Sequence, residues 1–464
     1  MAELTVLGGG PAGLAIAFYT NKAGRPFKLY EKSAELGGMC RTFQHGGHRY
    51  DAGAHRFHDR DQEITRDVRE LMGDELISVS APSKLWTRGK LIDFPPTPLN
   101  AVFSFGLASA VRISLEVLGA RWRAKECVNF RDFARAQFGK TLAQRMLIDY
   151  SEKLWGLPAD QLSPDIATRR LQGMTLHTLL LELLLPGRKT THIDGTFLYP
   201  RRGYGEIVTR LAASLPQDSL ATKHEVSRLE VNAGAITHIH FSNGRTNRVE
   251  DRVVSTLPLV LLVKLLGEKV PAAAREAATR LRFRQLRLIF LRLRRPRVSN
   301  NATIYIPAPN FRVSRVYEPK IRSEFMAPSH ETSLVAEIPC FPKDDISTMP
   351  DELLAARVID ELLLTGIIDR SDLMEWRHHL LPFAYPVYSL GYRREVSTIT
   401  NCLAAITNLD MLGRAGSFYY SHLHDQLRLS KNYVDALESA DARSVALVNG
   451  NDETNEAYLN AASR

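Results

Sequence analysis

The sequence predicts an α/β fold in which a Rossmann-like dinucleotide domain is interleaved with a mixed helical and β-sheet substrate domain. Three observations carry that expectation. The apolar run Leu4-Thr5-Val6-Leu7 leads into Gly8-Gly9-Gly10-Pro11-Ala12-Gly13 and then into Leu14-Ala15-Ile16-Ala17, the order strand, glycine turn, helix. Gly8 and Gly10 permit a tight turn and a close approach of backbone to pyrophosphate. Gly13 lets the helix pack on the strand, and the helix opening at Pro11 and Ala12 points its N-terminal dipole at phosphate charge. A second apolar run, Phe27-Lys28-Leu29-Tyr30, ends at Glu31 with Lys32 beside it. Glu31 lies eighteen residues past Gly13, where a carboxylate meets a ribose 2′-OH. Finally, strand signals return late in the chain after a long helical stretch, so the nucleotide domain is built from separated pieces.

Five residues beyond Lys32 comes a second glycine turn with a cation, Gly37-Gly38-Met39-Cys40-Arg41-Thr42. A plain NAD domain does not need it. A flavoprotein uses such a turn to pass its chain along the FAD pyrophosphate and ribityl, with Arg41 suited to charge-assisted phosphate contacts. Here the sequence resembles the FAD-binding superfamily that contains flavin amine oxidases, protoporphyrinogen oxidases and UDP-galactopyranose mutases, which implies a GR2-type FAD-binding domain.

In chain order, residues 1–75 open the FAD domain. Residues 76–195 form a mostly helical first part of the substrate domain, with helical patterns from Asn100 to about Leu185. Strand signals at Thr196 to Pro200, at His224-Glu225-Val226, at Ala235 to His240 and at Val253 to Thr256 assign 196–265 to the middle of the FAD domain. Residues 266–395 return to the substrate domain, with strands expected near 284–294 and 333–339 and a helix near 351–365. Residues 396–448 close the FAD domain around Gly413-Arg414-Ala415-Gly416, and 449–464 read as a polar, mobile tail.

Composition narrows the function classes. A length of 464 residues suits about three domain-sized units. The N-terminus enters a strand at once and no apolar run is long enough to span a bilayer, so a cytoplasmic protein is expected. Cys40, Cys127, Cys340 and Cys402 show neither disulfide nor metal spacing, so we expect reduced thiols and no metal. The net charge of +9 concentrates in Arg280 to Arg297, where Arg280, Arg282 and Arg284 alternate with Leu281 and Phe283. That alternation reads as the solvated face of a strand, with a phosphate-rich substrate or an acidic membrane surface as the functional alternative. Nucleic acid is not expected, because no recognised module accompanies the charge. A homo-oligomer is compatible with all of this.

Five segments carry the resemblance from end to end: Tyr50 to His58 (YDAGAHRFH), Asp149 to Gly156 (DYSEKLWG), Tyr199 to Ile207 (YPRRGYGEI), Ala384 to Tyr388 (AYPVY) and Leu412 to Tyr419 (LGRAGSFY). They are closest to UDP-galactopyranose mutase and its oxidase-like neighbours. By this resemblance Gly53, Val226, Gly413 and Arg414 join the cofactor contacts, Val226 through its backbone at adenine. His55 or His58 lies near flavin N5 to hydrogen-bond or exchange a proton. Tyr150 and Trp155 meet the nucleotide end of the substrate, where aromatic faces stack on a base, and Arg315 and Tyr385 hold the substrate diphosphate.

Two features depart from the mutases. Met174 stands where their mobile-loop arginine clamps the diphosphate, leaving Arg169 or Arg170 to compensate, and a helical segment from Met349 to Ile368 is inserted, as in the oxidase-like neighbours. The resemblance therefore implies an FAD-dependent oxidoreductase that passes a hydride to flavin N5 from a small-molecule substrate, a sugar nucleotide or related biosynthetic intermediate. The alternatives are a non-redox sugar-nucleotide mutase using reduced FAD, and a desaturase or isomerase of a lipid at a membrane surface. The last draws on the Leu-rich run Thr178 to Leu185.

Overall fold

Four-residue strands with no exposed face need layers above and below them, and this requirement organises the nucleotide half. A computed structural model describes residues 3–87, 89–94, 112–113, 115–116, 127–170 and 196–439. Strands Leu4–Leu7, Phe27–Tyr30, Leu220–Ala221, Val253–Ser255 and Leu409–Met411 form a parallel sheet. Leu4–Leu7 lies at its centre, between Val253–Ser255 and Phe27–Tyr30. The glycine helix Pro11–Lys22 covers one face and packs on Gly205–Ala213 and Leu423–Glu438. Three segments far apart in sequence thus contribute to one sheet and its covering helices.

The second half is built on a seven-stranded mixed sheet. Its long strand Phe283–Leu293, second from one edge, pairs antiparallel with Thr332–Cys340 on one side and the edge strand Leu373–Pro386 on the other. Arg315–Tyr317, Thr303–Tyr305, Ser83–Thr87 and Lys90–Phe94 continue it. The inserted helix Asp351–Thr365 packs its Leu354, Val358 and Leu362 on the core of this sheet. Helices Phe130–Ala143, Asp149–Trp155 and Asp165–Arg170 fall within the helical stretch expected from sequence. Met174, the Leu-rich run at 178–185 and the tail at 449–464 lie outside the described residues.

The basic stretch differs from its sequence reading. Arg280 ends the helix Ala272–Arg280, the strand begins at Phe283, and only Arg282 of the next turn is exposed. Arg284 and Arg287 are buried. Each guanidinium is spent on backbone carbonyls: Arg284 on Leu154, Lys153 and Pro339, and Arg287 on Ile346 and Met349, with Asp351 as its ion partner. Of the alternating residues only Phe283 and Arg284 fall in the strand, and burial of arginine against backbone carbonyls was invisible to the pattern.

Among the described residues no helix is long and apolar enough to cross a membrane, no His/Cys/Asp/Glu group is arranged to hold a metal, and all four cysteines are free. The sheet edge at Leu409–Met411 is tied to the closing helix by Asp410. Its buried carboxylate accepts two bonds of 2.8 Å from Arg252 and one of 2.8 Å from the Tyr433 hydroxyl. Asp410→Ala leaves the buried Tyr433 hydroxyl and Arg252 without their acceptor. The expected loss is about 2–4 kcal/mol of unfolding free energy, measured by chemical denaturation.

Candidate functional site

The glycines of the first turn have separable jobs. Gly8 has φ +101°, and a Cβ on Gly13 would lie 1.9 Å from the Gly8 carbonyl oxygen, so both are demanded by the turn itself. A Cβ on Gly10 would meet nothing within 4 Å. Packing therefore gives no reason for glycine there, whereas a phosphate approaching the helix does. No side chain caps the N-terminus of Pro11–Lys22 and no acidic residue sits in its first turn, as an anion site requires.

Glu31 is held in place by the backbone. Its two oxygens accept from the Gly9 and Ser33 N–H groups, both at 2.8 Å, leaving further lone pairs for a ribose hydroxyl. The second glycine turn docks on the first: Gly37 N–H donates to the Gly9 carbonyl at 2.8 Å, and a Cβ on Gly38 would lie 3.0 Å from Gly10 Cα. Gly413, at φ +85°, approaches so closely that a Cβ would sit 2.8 Å from that of Ala12. Lys223 and His224 N–H groups donate to the Ser33 and Glu31 carbonyls, which brings the start of strand Val226–Asn232 beside the Glu31 end of the cradle. Lys32 is exposed. Arg41 is turned back on its own loop, Nε to the Gly38 carbonyl at 3.1 Å and Nη1 to Glu35 at 3.4 Å. These residues fit FAD, with an open anion site at Gly10 and a placed carboxylate at Glu31.

The expected substrate residues converge. Arg315 donates to the fully buried Glu337 at 2.6 Å, and the other Glu337 oxygen accepts from Ala54 N–H at 3.0 Å. The loop carrying Gly53 and His55 is thereby fastened to the sheet carrying Arg315. Gly53 has φ +139° and a Cβ there would stand 3.6 Å from both Glu337 and His55. Burial works against the Arg315 cation, but the adjoining Glu337 carboxylate overrides it and keeps the Arg315 pKa well above its usual value. Tyr385 is reached through a register shift opposite Arg284 that contains Phe383 at φ +55°, a bulge that re-aims the strand end.

Around these groups stands an aromatic wall. Trp155 is stacked against Tyr388 and meets Tyr385 and Tyr420 edge-on, while Tyr150 meets Tyr305 at right angles. The Arg414 guanidinium lies 4.2 Å from the Tyr420 ring and 5.0 Å from that of Tyr385, with Nε and Nη2 buried and lacking hydrogen-bond partners. Arg170 ends its helix; its side chain lies outside the described residues. Sequence reading missed Glu337, Tyr305, Tyr420 and Tyr204. The one usable signal was Glu337 itself, a lone charge inside the otherwise uncharged strand Thr332–Cys340.

His55 is oriented for hydrogen bonding. Its Nε2 lies 2.8 Å from the Met39 carbonyl, which only accepts, so Nε2 carries the proton and Nδ1 is the free acceptor; the ring stacks on Tyr204. Burial, with the nearby Arg315 cation, pushes its pKa down to about 3, so proton exchange near pH 7 gives way to a fixed neutral imidazole. His58 packs with His422 and His424 instead. Burial and these neighbours push its pKa to about 3, and burial pushes His422 to about 4.

Two outcomes follow. Gly10→Leu is expected to abolish FAD retention while leaving the melting temperature of the apoprotein near that of wild type, since only ligand space is filled; absorbance at the flavin bands and thermal denaturation read the two effects. The histidines bind fewer protons folded than unfolded, where their pKa is about 6.5. Stability is therefore full above about pH 6.5 and falls as pH drops toward 4, so Tm is expected to decline between pH 7 and pH 5 and His58→Gln to flatten that decline.

Over residues 11–397 the chain matches the family of flavin containing amine oxidoreductases. Its fold is similar to that of a reduced UDP-galactopyranose mutase, with TM-score 0.84 and 19% identity over 100% of this chain and 99% of that one. It is similar to a protein from Exiguobacterium sp. 255-15 described as a protoporphyrinogen oxidase (TM-score 0.74, 16% identity, 94% and 99% covered). It is also similar to the CLA-producing fatty acid isomerase from P. acnes (TM-score 0.64, 15% identity, 95% and 99% covered). Identities this low speak for the fold alone, and the three likenesses span three chemistries. The family match covers most of the chain and coincides with a cradle shaped for a dinucleotide: the chain is an FAD-dependent enzyme and belongs to the flavin-containing amine oxidoreductase family.

Proposed function

We propose that this enzyme carries out a two-electron oxidation of a small polar substrate, a sugar nucleotide or a related biosynthetic intermediate. FAD supplies the hydride acceptor. Gly8 to Gly13, Glu31, Gly38, Gly413 and Arg414 bind it, while Arg315, Tyr385, Tyr150 and Trp155 orient the substrate in an aromatic, water-poor site and His55 offers a fixed acceptor at Nδ1.

The observation that carries this reading is the Arg315–Glu337 pair at 2.6 Å. A mutase must hold an expelled nucleotide diphosphate while the sugar reopens, which calls for uncompensated positive charge. Here the arginine is already neutralised by a buried carboxylate, and Met174 stands where the second cation of the mutases would be. An oxidation leaves the phosphate bond intact and makes no such demand.

The sugar-nucleotide mutase is the second reading, favoured by the full-length likeness to the reduced UDP-galactopyranose mutase and by the tyrosines gathered at Arg315. Anaerobic incubation of oxidised and chemically reduced holoenzyme with UDP-sugars separates the two. The expected result is bleaching of the oxidised flavin by substrate alone, with acceptor consumed in proportion to product. Arg315→Ala should weaken substrate binding by about 2–5 kcal/mol. Isomerisation by the reduced enzyme with no acceptor consumed reverses the order of the two readings.

A further inference from the structure

Arg315 follows a segment, residues 306–314, that is irregular and lies between two buried charges contributed by distant helices. From the substrate helix Asp149–Trp155, the Lys153 ammonium donates to the carbonyls of Ile306 (2.6 Å), Ala308 (2.6 Å) and Val313 (3.2 Å). From the inserted helix Asp351–Thr365, the Glu361 carboxylate accepts from the N–H groups of Arg312 (2.9 and 2.8 Å) and Val313 (3.0 Å) and from the Arg312 guanidinium at 3.3 Å. One charge satisfies the carbonyls of the segment and the other its N–H groups. The helices are themselves fixed: Arg284 caps the first through the Lys153 and Leu154 carbonyls, and Trp86 ties the end of the second through the Thr365 carbonyl at 3.2 Å while packing on Phe311. Gly156 leaves room for this cap, since a Cβ there would stand 2.4 Å from Arg284 Nη1.

We infer that Lys153 and Glu361 are positioning residues, a paired clasp that holds the 306–314 segment from its two polar sides and so fixes Arg315 at the substrate site. The inserted helix then has a job: it carries the anionic half of the clasp to a loop that backbone pairing alone does not secure. The one ion pair Glu361 makes is with the Arg312 guanidinium at 3.3 Å, inside the segment it holds. Lys153 uses carbonyls rather than a carboxylate, and its burial draws its pKa down to about 7 against the opposing pull of Glu361 and Asp149. The charges are kept because formal charges make stronger hydrogen bonds to backbone than neutral groups do.

The functional half of the inference rests on the reading of Arg315 as a substrate contact, and the test separates the two. Holoenzyme bearing Glu361→Gln or Lys153→Met is compared with wild type by amide hydrogen exchange and by equilibrium binding of UDP as the probe. The expected result is faster exchange across residues 306–315, by about tenfold or more, with FAD content and exchange in the glycine helix unchanged. UDP affinity should fall in the same variants, and Glu361→Asp should recover part of it. Unaltered exchange in both variants overturns the clasp, as does loosened exchange with undiminished UDP affinity. If wild-type holoenzyme binds no UDP, the substrate reading fails and the exchange comparison alone decides the clasp.

Discussion

A single buried carboxylate joins the two halves of this enzyme. Glu337 is fully buried in the seven-stranded sheet, directly across from Arg315 in the strand register. A charge in that position is tolerable only with a close counter-ion and further hydrogen bonds. Arg315 supplies the first and Ala54 N–H the second, so the loop carrying Ala54 cannot leave the sheet without stripping a buried carboxylate of a hydrogen bond. The same junction continues through Tyr317, whose hydroxyl donates to the Asp51 carbonyl. Asp51 in turn gathers Thr42, Tyr199 and Tyr204. Segments near residues 42, 51, 200, 317 and 337 are thus placed by one chain of satisfied polar groups, in which Asp51 takes the Tyr199 hydroxyl and the Tyr204 backbone N–H of the YPRRGYGE motif.

The positive charge of the chain obeys a related economy. Arg284, Arg287 and Lys153 are cations turned inward onto carbonyls: Arg284 at a helix end and a neighbouring strand, Arg287 around Ile346 to Met349, and Lys153 along the irregular 306–314 segment. Long apolar stems let them reach such positions, and the planar donors of arginine serve several carbonyls at once. A count of basic residues therefore overstates what is available to an anionic partner at the surface.

How much was legible in the sequence follows from which physical signals are local. The glycine turns, the Glu31 spacing and the strands at 283–293 and 332–340 were readable because turn geometry and apolar periodicity are written over a few residues. Gly38 and Gly413, both at positive φ, are packed against the first glycine turn at Gly10 and Ala12. Arg284 was misjudged because an alternating arginine looks solvated until its acceptors, Leu154 and Pro339, are known, and they lie 130 and 55 residues away. Glu361 and Lys153 were passed over for the same reason: charge on a helix reads as surface, and only tertiary contact reveals the loop between them. His55 was found by its motif, yet its protonation is set by burial first and then by Arg315, both of which depend on segments remote in sequence.

The two ends of the site are consequently built on different principles. At the FAD end the contacts are interlocked backbone: Gly9 with Glu31, Gly37 with Gly9, Gly13 against Gly8, Gly413 against Ala12. Such an arrangement permits no graded change, because almost any side chain collides. At the substrate end the geometry is set by side-chain charge and aromatic packing, Arg315 with Glu337 and Trp155 among three tyrosines. A shared scaffold that hosts mutases, oxidases and isomerases is the expected consequence. In this member Arg315 is paired with Glu337 beneath it, and the 306–314 segment before it is bonded by Lys153 and Glu361.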